Sequence, residues 1–335
     1  MIPPAEDAER AARVDALMLP YQGEVPGASV AVLEGGAPTL RRAYGLADVE
    51  SRTAATTETN YRLASITKQF TAAAILLLAE DGRLSIDDPV RGWLPTLAHA
   101  GDGVTIRHLL THTSGLADFE DLIPQRSTVQ LHDADVLRLL EDETRRYFPP
   151  GAGYRYSNSG YSLLALIVAN ASGEDFAAFL RKRIFLPLGM WNSVAFEAGI
   201  SSVAHRAYGH TASRRSWVRA DQDLTSATLG DGGVYSSIED LAKWDAALHG
   251  DRLLQRASLR EAFRAATPTD DPGVQYGFGW RISEDSVWHS GETTGFRNAI
   301  VRYLERRLTI IILTNRDDPR PYPAALAIAG IFTTR

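Results

Sequence analysis

Ser65 and Lys68 stand three positions apart in the run Tyr61-Arg62-Leu63-Ala64-Ser65-Ile66-Thr67-Lys68. A serine hydroxyl attacks a carbonyl once a base takes its proton, and a lysine amine is such a base where its surroundings disfavour the ammonium. Arginine cannot do this, because its guanidinium stays charged. Only three of the 35 basic residues are lysines, so Lys68 departs from the chain's own usage. The motif alone is weak: with 22 serines and three lysines in 335 residues, Ser-x-x-Lys arises by chance about 0.2 times per chain.

Its context strengthens it. Phe70, Ala73, Ala74, Leu77 and Leu78 recur at helical spacing and predict a buried helix over Ile66 to Glu80, closed by Gly82 and beginning at or just after Ser65. Lys68 then lies one turn on, on the same face as Ser65. First-turn amides have no intrahelical acceptor, which leaves the Ser65 N–H free to stabilise an oxyanion. The plainer reading makes Ser65 an N-cap and Lys68 a solvated cation. Against it stand the helix dipole, which opposes a cation in the first turn, and the apolar sides of the helix.

Two further segments carry chemistry. Pro149 to Gly160 is a proline- and glycine-rich loop containing Tyr156 and Asn158. A phenol near cations trades protons with a leaving group, and an amide binds a carbonyl or orients the lysine. The third segment, Trp288-His289-Ser290-Gly291-Glu292, reads as a strand end where Gly291 permits close backbone approach by a substrate. There the N–H of Glu292 can complete an oxyanion hole with that of Ser65. A packing anchor and an ordinary strand end are the bland alternatives.

Taken together in this order, Ser65-x-x-Lys68, Tyr156-Ser157-Asn158 and His289-Ser290-Gly291 resemble the serine β-lactamase and penicillin-binding protein superfamily, in its class C β-lactamase, DD-peptidase and esterase branch. The resemblance extends to Leu109-Leu110-Thr111-His112-Thr113-Ser114-Gly115-Leu116, Tyr276-Gly277-Phe278-Gly279-Trp280 and Leu313-Thr314-Asn315. It implies Ser65 as nucleophile, Lys68 and Tyr156 sharing general-base and general-acid work, Asn158 binding the acyl-side carbonyl, and hydrolysis through an acyl-enzyme without a cofactor. Class C β-lactamases carry lysine where this chain has His289. A histidine with the usual affinity for protons is largely neutral at pH 7 and holds a substrate carboxylate poorly. The expected substrates are therefore small esters or amides, including D-amino-acid peptides, ahead of β-lactams. Arg297, six residues past Gly291, can replace the missing charge but is read as a surface residue.

These residues need a frame. Apolar runs at Ala28 to Leu33 and Thr39 to Tyr44 flank Gly35-Gly36, and further runs follow at Phe278 to Ile282, Val287 to Ser290, Ala299 to Tyr303 and Thr309 to Leu313, all strand-like. Helical patterns occupy residues 7 to 18, Ile106 to Leu110, Asp133 to Leu140, Tyr161 to Asn170, Phe176 to Ile184, Ile238 to Leu248 and Ala324 to Phe332. The result predicts an α+β protein, an antiparallel sheet covered by helices and built from both chain ends, beside an all-α lobe. The expected division is residues 1–85 and 190–335 for the sheet lobe and 86–189 for the helical lobe, with the site between.

Composition narrows the partners. A net charge of -6 with scattered arginines argues against nucleic acid, and no apolar run spans a bilayer. Zero cysteines exclude disulfides and thiolate chemistry. The acidic start, Glu6-Asp7, is not a secretory signal, which fits a cytoplasmic protein, or a periplasmic or secreted one read from after its cleavage site. His108 and His112 are spaced i, i+4, but no glutamate follows His108 as a metal hydrolase requires. A binding protein that keeps the fold without turnover is the remaining class.

Overall fold

The computed structural model describes residues 5–97, 100–214 and 216–333. Its centre is an eight-stranded antiparallel sheet: β1 (Ala28–Glu34), β2 (Ala37–Tyr44), β3 (Thr267–Pro268), β4 (Gln275–Tyr276), β5 (Arg281–Ile282), β6 (Val287–Thr293), β7 (Phe296–Tyr303) and β8 (Leu308–Thr314). Side by side the strands run β3-β4-β5-β6-β7-β8-β1-β2. The N-terminal hairpin thus joins the C-terminal meander through β1 and β8, with Ala28 opposite Thr314 and Glu34 opposite Leu308. Strands from both ends of the chain build one sheet, as the pattern predicts.

Seven helices cover the sheet or border the site: α1 (Ala5–Leu17), α2 (Lys68–Glu80), α3 (Ile106–Leu110), α4 (Asp133–Glu141), α5 (Asn158–Ser172), α6 (Ile238–Ala247) and α7 (Tyr322–Thr333). Successive strand residues face opposite sides. Val30, Val32, Ile310 and Ile312 meet Val14 of α1 and Ile328 of α7 on one side. Ala31, Leu33, Ile311 and Leu313 join Phe70 of α2 and Trp244 of α6 on the other. Central strands buried on both faces lose polar alternation, which is why they read as continuous apolar runs. Among the described residues no single helix is long and apolar enough to cross a membrane.

Two expected elements differ. Of the strand expected over Phe278 to Ile282 only Arg281–Ile282 forms, as β5, and the residues before it make the turn from β4. Gly279 adopts φ +76° and presses on α2, where a Cβ would stand 2.7 Å from the Lys68 carbonyl oxygen. The helix expected over Phe176 to Ile184 is α-helical only to Leu180 and continues as a π turn over Arg181–Phe185.

Candidate active site

Ser65 lies in a 3₁₀ turn, Ala64–Thr67, that runs straight into α2. Its predecessor Ala64 sits at φ +50°, a region a residue with a Cβ occupies at a cost of about 1–3 kcal/mol. Long-range contacts hold the segment there. The Leu63 N–H donates to the Val234 carbonyl (2.8 Å), the Asn298 amide donates to the Arg62 carbonyl (2.8 Å), and the Val234 N–H donates to Thr67 Oγ1 (3.1 Å). Ser65 keeps its place in the first turn, where amides lack an intrahelical acceptor.

Lys68 is fully buried. Its Nζ donates to Ser65 Oγ (3.2 Å), Asn158 Oδ1 (2.8 Å) and the Asp231 carbonyl (3.0 Å). An ammonium has three N–H groups, and each has an acceptor here. The rings of Tyr156 and Tyr161 lie 4.9 and 5.4 Å from Nζ. Asn158 opens α5 and is itself fixed, its N–H donating to Asp118 Oδ2 (2.7 Å) and its Nδ2 to Glu120 Oε1 (2.8 Å). The Asn158 side chain therefore orients the lysine. The ring of Tyr156 lies tilted against that of His112, centroids 4.3 Å apart, and its buried hydroxyl has no hydrogen-bond partner among the described residues. It meets Lys68 through its ring face.

On β6 the side chains alternate, and only alternate ones face Ser65. Gly291 does, but its close neighbour is protein backbone rather than substrate: a Cβ would stand 2.0 Å from the Leu63 carbonyl oxygen. That approach lays the Gly291–Glu292 backbone beside the Ser65 turn, and Glu292 lines the same cleft as Ser65. His289 is 1% exposed and lies beneath the strand. Its Nδ1 is 2.6 Å from the Ser290 carbonyl, which can only accept, so Nδ1 carries the proton and Nε2 accepts from the Tyr276 hydroxyl (3.0 Å). Burial, then the nearby Arg281 charge, push the His289 pKa down to about 3. The ring is neutral and faces inward, so it is not a contact surface for substrate. Ser290, on the alternate face, lines a neighbouring cleft of about 310 Å³ with Trp288, Arg281 and Arg320. Arg297 is no free surface cation: its side chain is 20% exposed and lies 3.6 Å from both Glu292 and Asp317.

The cleft at Ser65 encloses about 50 Å³ and is lined by Arg62, Glu120, Asn158, Thr225, Asp231, Glu292 and Thr293 among others. Sequence reasoning did not find Arg62, Glu120 or Asp231; the glycines around Leu229-Gly230-Asp231-Gly232-Gly233 were the available signal. Gly230 has to be glycine, since a Cβ would meet the Tyr161 carbonyl oxygen at 2.2 Å. Burial raises the pKa of Asp231 against the opposing pull of Lys68 and Arg62. Burial also raises that of Glu120, with the Asp118 and Asp231 charges adding to it. Nearby Asp133, pushed up to about 7 by burial and by the Asp231 charge, accepts the N–H groups of Leu229 (3.1 Å) and Gly230 (3.3 Å). His108 and His112 serve different partners: the Thr105 N–H donates to His108 Nδ1 (3.1 Å), and the Ser157 N–H to His112 Nδ1 (3.1 Å). Among the described residues no group of three or more His, Cys, Asp or Glu is placed to hold a metal ion.

A serine whose oxygen lies 3.2 Å from a buried amine can accept an acyl group. Comparison with known proteins agrees. The Beta-lactamase family model matches residues 8–332. The chain is 34% identical to penicillin-binding protein 4* of Bacillus subtilis, over 90% of this chain and 71% of that protein. It is 29% identical to a D-aminopeptidase of Gluconobacter oxydans, over 95% of this chain and 62% of that one. The fold superposes on a penicillin-binding protein from Bacillus halodurans with a TM-score of 0.83 at 28% identity, covering 95% of this chain and 99% of the other. A match along nearly the whole chain, in sequence and in fold, places this protein in the Beta-lactamase family.

Proposed function

We propose that this serine hydrolase cleaves small, uncharged or cationic esters and amides through an acyl-enzyme on Ser65, with β-lactams as poor substrates. The observation that carries the reading is the buried Lys68 amine bridging Ser65 Oγ and Asn158 Oδ1. Lys68 takes the serine proton as Oγ attacks the acyl carbon. The Ser65 and Glu292 N–H groups receive the oxyanion. The proton passes from Lys68 or Tyr156 to the leaving group, and water then releases the acid.

Charge at the site supports the substrate preference. Third-motif His289 is neutral and inward-facing, Arg297 is matched by Glu292 and Asp317, and Glu120 and Asp231 line the cleft. Arg62 and Lys68 are the cations beside the cleft, but two nitrogens of Arg62 already donate to the Gly232 and Ser226 carbonyls, and Lys68 donates to Ser65, Asn158 and the Asp231 carbonyl. A substrate carboxylate such as that of a cephalosporin therefore gains little here. The test compares kcat/KM for a short-chain p-nitrophenyl ester with that for a chromogenic cephalosporin. The ester is expected to be turned over faster by at least about 100-fold, equivalent to about 2.7 kcal/mol; a cephalosporin value above the ester's overturns the preference.

A further inference from the structure

A buried tyrosine hydroxyl usually has a hydrogen-bond partner, and that of Tyr156 has none among the described residues. The phenol is therefore placed by its ring contacts and its backbone. His112 supplies both. Its ring lies against that of Tyr156, centroids 4.3 Å apart, and 5.1 Å from that of Tyr161; these are the two rings that face Lys68 Nζ. His112 also grips the chain on either side of Tyr156. Its carbonyl accepts the Arg155 N–H (3.0 Å), and its Nδ1 accepts the Ser157 N–H (3.1 Å). The next residue is Asn158, whose Oδ1 accepts from Lys68 (2.8 Å).

Two features set this histidine apart from a ring that only fills space. It sits at φ +58°, a left-handed conformation that strains a residue with a Cβ. With Nδ1 accepting, the ring proton is on Nε2, which is buried and has no acceptor among the described residues. A phenylalanine would fill the same space without an orphaned N–H, but could not hold Ser157. The ring is also neutral: burial first, then the Lys68 charge, push its pKa well below the usual histidine value. No second cation thus stands behind the rings that face Lys68.

Resting on the acyl-enzyme reading above, we propose that His112 is a positioning residue for proton delivery, holding the Tyr156 ring and Asn158 where they set the Lys68 amine. As Ser65 Oγ bonds to the acyl carbon, Lys68 takes its proton. That proton ends on the leaving oxygen as the bond from this oxygen to the acyl carbon breaks, passed by Lys68 itself or through Tyr156. Lys68 is then an amine again when the acyl-enzyme has formed. A nitrophenolate leaves without the proton, whereas an alkoxide needs it. A displaced Lys68–Tyr156 pair therefore slows an alkyl ester more than a nitrophenyl ester.

The test uses the ethyl and p-nitrophenyl esters of one short acid. Each kcat/KM is divided by the fraction of Ser65 that a fluorophosphonate labels, so misfolded protein does not count. His112→Phe keeps a ring and removes the Ser157 acceptor. His112→Asn keeps an acceptor in the place of Nδ1, tolerates the positive φ, and removes the ring. Each is expected to lower the ethyl-ester value at least about tenfold more than the p-nitrophenyl value; if one variant gives no labelled protein, the other decides. Equal losses on the two esters in either variant overturn the proposal, since a structural fault alone does that, and so do wild-type values in either. Wild-type protein that forms no Ser65 adduct would instead remove the acyl-enzyme reading, and this inference with it.

Discussion

Replacing Lys68 by arginine keeps a positive charge and removes the capacity to give it up. Because the side chain is fully buried among three acceptors, the larger guanidinium also strains its surroundings, so Lys68→Met is the companion variant that keeps the approximate volume. Both are expected to lower ester turnover by about 10²–10⁴-fold, measured as kcat/KM, and near-normal turnover in the arginine variant refutes the base role. The pair Ser65 and Lys68 was legible because the contact is local: three positions along one helical face suffice to predict it. Asn158 was legible through its spacing from Tyr156. Arg62, Glu120 and Asp231 were not, because the cleft that they share is assembled from segments far apart in sequence, and the glycines around Asp231 mark a tight backbone without showing what it meets. Lys68 and the Asp231 carbonyl that it meets are 163 positions apart. His289 was found as a residue and misplaced as a contact, since whether a strand residue faces in or out depends on which neighbour covers it.

The elements that matter are the Ser65 turn and β6, and what joins them is a bare backbone contact. Gly291→Ala puts a methyl group 2.0 Å from the Leu63 carbonyl oxygen, which neither strand nor turn can absorb in place. The expected cost is about 1–3 kcal/mol of stability, read as a lower Tm. Covalent labelling of Ser65 should slow with it, because the displaced strand carries the Glu292 N–H. A variant with wild-type Tm and labelling rate would show that β6 and the turn are not in register with each other as described. At this scale the pattern predicted the strands and helices that bury apolar side chains, and failed where a glycine set the path. The turn at Gly279, at φ +76°, breaks an apolar run whose composition reads as a strand.

For the molecule as a whole, the buried ionisable groups set opposing responses to pH. Asp245 is fully buried and, despite that burial, held at about 2 by Arg302 and His249; its stabilisation is present above the ordinary carboxylate range and is lost as pH falls toward 2. His289, held neutral, acts in the same direction below pH 6.5. Asp133, raised from 3.8 to about 7, acts the other way: the folded state binds its proton more tightly than the unfolded chain, so stability falls as pH rises from about 4 to 7. Asp133→Asn removes that term. The Tm of the variant minus that of the wild type is expected to grow between pH 4 and 7 and level off above, and a difference independent of pH would refute the assignment. One consequence of the topology concerns time. The partner that completes the apolar edge of β1 is β8, which leaves the ribosome roughly 280 residues later, tens of seconds at about 5–20 residues per second. Until then the first hairpin has its inner edge open, exposed to pairing with another nascent chain. The turn that carries Ser65 waits roughly 220 residues for β6, so on the acyl-enzyme reading Ser65 can take no acyl group until that strand has been made.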